Sequence, residues 1–194
     1  GRDVEELIPE PLRAIAIAEA AGYPADDDTH LAVRVTAETK GLNLPSTYTV
    51  LHPGADAPAR QWPIEGYVRV AARLIDQGYH VIVTGHTDER ELTEKISHEV
   101  PDVIDLTGTL NLEEFAQVLY CAEVLVAGNT GPAHLAAATG TPVVSLFAPV
   151  TPASNWAPYG VPVMLLGDQE APCKNTRARN CPIPGHPCLS GVDP

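Results

Sequence analysis

Six short runs rich in Val, Leu and Ile, at 48–52, 79–84, 103–106, 123–127, 143–147 and 162–166, alternate with amphipathic stretches near 64–77, 88–99, 111–121 and 132–139. Runs of four to six apolar residues bounded by turn residues read as buried strands, and the stretches between them carry helical spacing. Strand and helix in strict alternation leave few folds open. They predict an α/β class: a Rossmann-like parallel sheet with helices on both faces. Local punctuation supports the helices. Asn111 followed three residues later by Glu114 is a capping-box start, and Gly78 and Gly140 stand where helices end. With 44% hydrophobic content in 194 residues, the chain can bury one full core. Ahead of it lie a helix candidate over 11–21, stopped by Gly22 and Pro24, then Asp26-Asp27-Asp28 and the alternating run 31–35.

In a parallel sheet the loops that follow the strands share one edge, where such folds bind ligands. Here those loops are 52–60, 85–89, 107–111 and 128–134. The last carries Asn129-Thr130-Gly131-Pro132-Ala133-His134, small residues leading straight into a helix. Pro132 suits a first helical position, where its missing N–H has no intrahelical partner to lose. The remaining N–H groups of the first turn, at the positive end of the helix dipole, form an anion site, and the expected ligand is phosphorylated. Any βα turn shares part of this pattern, so the flanks matter.

Charge narrows the partners. A net charge of −13 disfavours nucleic acid and anionic membrane, and it opposes an anionic ligand at long range. Phosphate must be held locally, by backbone N–H groups and one or two placed cations. No stretch approaches the roughly 20 apolar residues of a membrane span, and the N-terminus lacks a signal pattern, so a cytoplasmic location is expected. Neither Gly-x-Gly-x-x-Gly after a strand nor a Gly-Lys-Ser/Thr loop is present, which disfavours nicotinamide dehydrogenases and P-loop ATPases.

The unit from Asn129 through Gly140-Thr141-Pro142 to Ala148-Pro149 resembles the signature of the heptosyltransferase-like family nine glycosyltransferases. Separate loops agree in order and spacing: Leu51-His52-Pro53-Gly54-Ala55 with Arg60-Gln61-Trp62-Pro63, Thr84-Gly85-His86 with Glu89, and Leu106-Thr107-Gly108 with Leu112. The resemblance implies the C-terminal, donor-binding half of a GT-B enzyme. It divides the chain into an interdomain connection with flanking helix and strand (1–46), a nucleotide-sugar-binding domain (47–170) and a cysteine-containing tail (171–194). It implies that Gly54, Ala55, Arg60, Gly85, Glu89, Asn129, Thr130, Gly131, Pro132 and His134 meet a nucleoside diphosphate sugar. The acceptor and catalytic base are expected in an N-terminal domain outside this chain, so no catalytic residue is assigned here. The expected donor is ADP-heptose or a relative and the expected acceptor a saccharide or lipid-saccharide, as in lipopolysaccharide biosynthesis. No cofactor is required, because cations and helix N-termini can neutralise the leaving diphosphate.

Individual residues carry competing readings. The guanidinium of Arg60, where the family usually has lysine, can fork across a diphosphate, or it is a solvated loop charge. Asn129 replaces the family's usual aspartate; an amide can hydrogen-bond a hydroxyl or the main chain but cannot accept a proton. His134, in the first helical turn, is expected neutral, as a partner to phosphate or loop, or as a packing residue. Glu89 can accept from ribose hydroxyls or simply stabilise a helix start. Trp62 fits best as an anchor for the helix after it. The Asp26-Asp27-Asp28 run resembles the acidic metal motif of other glycosyltransferases but precedes a strand, so it reads as turn residues. In the tail, Cys173, Cys181, His186 and Cys188 offer a zinc alternative to free thiols or a disulfide, while Cys121 reads as a small residue at a helix end. Two other functions stay open: a nucleotide-sugar epimerase of similar architecture, and a non-catalytic nucleotide- or metal-binding domain.

Overall fold

The computed structural model describes residues 8–25, 31–35 and 42–194. The helices are α1 (Glu10–Ala20), α2 (Ile64–Asp76), α3 (Arg90–Glu99), α4 (Leu112–Tyr120), α5 (Gly131–Thr139), α6 (Ala153–Trp156) and α7 (Pro187–Ser190). The strands are β1 (Thr49–His52), β2 (Val81–Val83), β3 (Ile104–Asp105), β4 (Val124–Gly128), β5 (Val143–Leu146) and β6 (Val163–Leu166). All six join one sheet in the order β3-β2-β1-β4-β5-β6, every pairing parallel. Each of the six apolar runs thus becomes a strand, and each of the four core helices forms within two residues of its expected span.

The runs are continuous because both sheet faces are covered. Successive side chains point to opposite faces. Leu51, Val81 and Val83 pack with Tyr67, Ala71 and Ile96 of α2 and α3. Val50, Ile82 and Leu125 pack with Val118, Leu119, Ala133 and Ala136 of α4 and α5. From the tail, Ala171, Cys173, Cys188 and Leu189 are buried in the first of these clusters. By contrast, α1 buries none of its residues.

Local details follow the sequence closely. The α4 start is a capping box, Asn111 Oδ1 accepting from Glu114 N at 2.9 Å and Glu114 Oε2 from Asn111 N at 2.8 Å. Gly140 closes α5 at φ 88°, a left-handed conformation that glycine adopts without steric cost. Trp62 is 5% exposed and meets Tyr67 edge-on, with ring centroids 5.1 Å apart, so it anchors α2 as expected. Two details differ. Strand β3 stops at Asp105, whose Oδ1 accepts from Thr107 N at 2.8 Å, while Leu106 N and Gly108 N still donate to Val83 O and Gly85 O beyond β2. The run 31–35 carries no strand; Val33 N instead donates to Ala138 O beside the end of α5. The Asp26-Asp27-Asp28 run lies outside the described residues.

The β1 strand ends on His52, a buried polar group. Its Nδ1 lies 3.1 Å from Thr84 Oγ1 and its ring tilts against Phe115 with centroids 5.9 Å apart. Nε2 is 3.6 Å from Glu89 Oε2, beyond hydrogen-bond range. Burial therefore governs its charge and pushes the imidazole down to about 4. Above pH 6.5 the ring is neutral in both folded and unfolded chains. Between 6.5 and 4 the unfolded chain binds a proton that the folded chain refuses, and stability falls with pH by up to about 3 kcal/mol. Urea midpoints measured from pH 7 to pH 4.5 should decline more steeply for the parent than for His52→Phe; parallel declines would show that His52 does not supply this sensitivity.

Candidate functional site

The sheet order reverses between β1 and β4, whose register pairs His52 with Ala127. Their C-terminal loops therefore emerge side by side. Between them opens a cavity of 620 Å³ lined by Gly54, Ala55, Arg60, Glu89, Asn129, Thr130, Gly131, Pro132 and His134. Gly85 lines an adjoining hollow of 500 Å³, whose apolar wall is Leu106, Leu110 and Phe115. His52, Asp56, Glu89 and Pro132 border both spaces. The sequence-predicted residues thus fall together in one contiguous depression.

One wall is the start of α5. Thr130 is extended at the N-cap, φ −142° and ψ 169°, and its side chain makes no capping bond. Its Oγ1 is buried without a partner. Pro132 has no N–H and Ala133 N turns to Thr130 O at 3.2 Å, so the Gly131 N–H is the first-turn donor that the cap side chain leaves without an acceptor. Asn129 is 5% exposed and spends Nδ2 on Thr151 Oγ1 at 2.9 Å, tying the β4 loop to the loop after β5. His134 is half-buried, and burial lowers its pKa, so the ring is neutral at pH 7.

The facing wall is the β1 loop. A 3-10 turn over Pro58–Arg60 holds Arg60 against the sheet edge, with Arg60 N bonded to Ala57 O at 2.8 Å. Arg60 is half-buried; its Nε is fully buried and without a partner, and no carboxylate pairs with the side chain among the described residues. A buried cationic nitrogen with no acceptor is costly.

Glu89 joins the two spaces. Its Oε2 accepts from His86 N at 2.8 Å, closing a helix-start capping box, so the structural reading of this residue holds. The carboxylate is also wedged against the main chain of Gly54, where an added Cβ would sit 1.8 Å from Oε1. A side chain at 54 would displace the Glu89 carboxylate.

Cys173 and Cys188 are 1% exposed, and burial, then the neighbouring Cys173 and Cys181, pushes the Cys188 thiol up to about 12. The ring Nε2 of His186 lies 3.0 Å from Ala59 O. Among the described residues no three His, Cys, Asp or Glu side chains are arranged to hold a metal ion. Cys121 caps α4 and its sulfur accepts from Gln117 Nε2 at 3.0 Å.

Beyond His52 at the end of β1, sequence reasoning did not assign Asp56, Thr151, Trp156 or Arg177 to the site, and these also line the cavity. Asp56 lay within a loop already singled out. The other three come from segments beyond the β5 strand, whose return to the site depends on tertiary bonds that no local pattern displays.

The family model for glycosyltransferase family 9 (heptosyltransferase) matches residues 13–186. Lipooligosaccharide heptosyltransferase 2 of Haemophilus influenzae is 32% identical over 106 residues, which are 52% of this chain and 31% of that enzyme. The crystal structure of a family 9 glycosyl transferase from Veillonella parvula superposes with a TM-score of 0.80 at 19% identity, over 96% of this chain and 56% of that one. The E. coli heptosyltransferase WaaC with ADP superposes with a TM-score of 0.63 at 22% identity, over 85% of this chain and 52% of that one. The chain thus spans about a third to about half the length of these relatives. A match over nearly its whole length places the chain in glycosyltransferase family 9, the heptosyltransferase family.

Proposed function

We propose that this chain is the donor-binding half of an inverting glycosyltransferase, holding a nucleoside diphosphate sugar of the ADP-heptose type for transfer to a lipopolysaccharide saccharide. The observation that carries the reading is the meeting, in one cavity, of the uncapped start of α5 and the unpartnered buried Nε of Arg60. In a chain of net charge −13, an anion is retained only by such local groups.

The diphosphate lies between Arg60 and the first turn of α5, and Arg60 forks two of its oxygens. The nucleoside enters the adjoining hollow, where Leu106, Leu110 and Phe115 cover the base and Glu89 accepts from the ribose hydroxyls. As the bond to the sugar breaks, negative charge gathers on the diphosphate, and the same groups stabilise it in place without a metal ion. Asn129 holds the loop through Thr151 and can still accept from a sugar hydroxyl through Oδ1. Neutral His134 is a hydrogen-bond partner and not a cation. The relative WaaC, crystallised with ADP, supports an adenine nucleotide. The base that deprotonates the acceptor belongs to an N-terminal acceptor domain, so the isolated chain binds donor and does not transfer sugar.

Among the described residues no helix is long and apolar enough to cross a membrane. Calorimetric titration with ADP, UDP and GDP should show preference for ADP. Arg60→Ala should weaken ADP binding at least about tenfold, the worth of one charge-assisted pair. Equal affinity in parent and variant, or sugar transfer by the isolated chain, would contradict the proposal.

A further inference from the structure

The cavity holds a second cation from an unexpected place. The segment after Cys173 returns over the site because its backbone is pinned at three points. Asn175 N donates to Pro149 O at 2.8 Å, Arg177 N to Val150 O at 2.8 Å, and Ala59 N to Arg179 O at 2.9 Å. The two neighbouring cations are engaged elsewhere. Lys174 pairs with Glu170 at 2.7 Å, and Arg179 donates from Nη2 to Asp56 O at 2.9 Å, which orders the loop that carries Arg60. Arg177 lines the cavity, and its side chain has neither hydrogen bond nor ion pair among the described residues. Its backbone sits at φ 55°, a left-handed conformation uncommon for a residue with a Cβ and held here by the surrounding bonds.

Position decides what it meets. Arg177 and Arg60 border the large cavity and not the nucleoside hollow. A ligand with its base against Phe115 turns its distal phosphate, and not its nucleoside, toward them.

We propose that Arg177 is a second phosphate ligand, supplied by the C-terminal segment and directed at the distal phosphate of the donor. The inference rests on the nucleoside diphosphate reading above. It makes the tail part of the binding site: tethered to both the Arg60 loop and the loop after β5, the segment delivers a guanidinium that completes a two-cation clamp. A side chain with this role distinguishes nucleoside diphosphate from monophosphate, which a residue that only orders the loop does not.

The test compares ADP and AMP binding by calorimetry for the parent chain, Arg177→Ala, Arg177→Gly and Arg177→Lys. The glycine variant removes the side chain while keeping the left-handed backbone free of strain. Both truncations should weaken ADP about tenfold and AMP less than about twofold, with lysine recovering part of the loss as a charge lacking the fork. Equal weakening of ADP and AMP would reveal a structural role and overturn the inference. Unchanged ADP affinity in Arg177→Gly, with Arg60→Ala still impaired, would overturn it while leaving the donor-site reading intact. Failure of the parent chain to bind ADP would remove that reading and this inference with it.

Discussion

The reversal of strand order between β1 and β4 is the constraint on which the site depends. Because β1 lies in the middle of the sheet and pairs with both β2 and β4, the loop after His52 and the loop after Gly128 leave the same edge as neighbours. One brings a guanidinium held by a 3-10 turn, the other a helix start without a cap of its own. Neither is a strong anion site alone. Brought together at one cavity with their donors unsatisfied, they oppose the acidity of the whole chain locally.

The same edge explains why several residues serve structure and site at once. Glu89 caps the helix start beyond β2, and its carboxylate fills the space left by Gly54. Asn129 ties its loop to Thr151, so an amide here has a structural use even without a ligand. His52 ends β1 in a position that burial keeps neutral, which leaves the border between the two spaces without a cation on that side at pH 7. Loops held by such buried bonds are pre-organised, and less ordering remains to oppose binding.

Much of this was legible from the sequence, for physical reasons. Runs such as 79–84 and 123–127 announce strands because a doubly covered parallel sheet buries every residue, and the helix signals at Asn111, Gly78 and Gly140 act within one turn. The loop 129–134 was readable because its chemistry is local: small residues, a proline and a helix start. What escaped depends on distance along the chain. Arg177 reaches the cavity through bonds to Val150 and across from Arg179 to Ala59, more than a hundred residues away in the second case. The wedge of Glu89 against Gly54 likewise joins two loops that periodicity treats separately. The run 31–35 alternates like a strand, yet its Val33 amide goes to α5, since tertiary placement overrides a short local pattern. In the tail, Cys173 and Cys188 are core residues, a burial that their spacing along the chain does not display.

A crystal structure of the chain soaked with ADP tests the account most directly. The diphosphate should lie within hydrogen-bond distance of the Arg60 guanidinium and the Gly131 N–H at the start of α5, with the adenosine in the hollow bounded by Leu106, Leu110 and Phe115. Phosphates pointing into solvent, or a nucleotide seated elsewhere on the sheet, would contradict it.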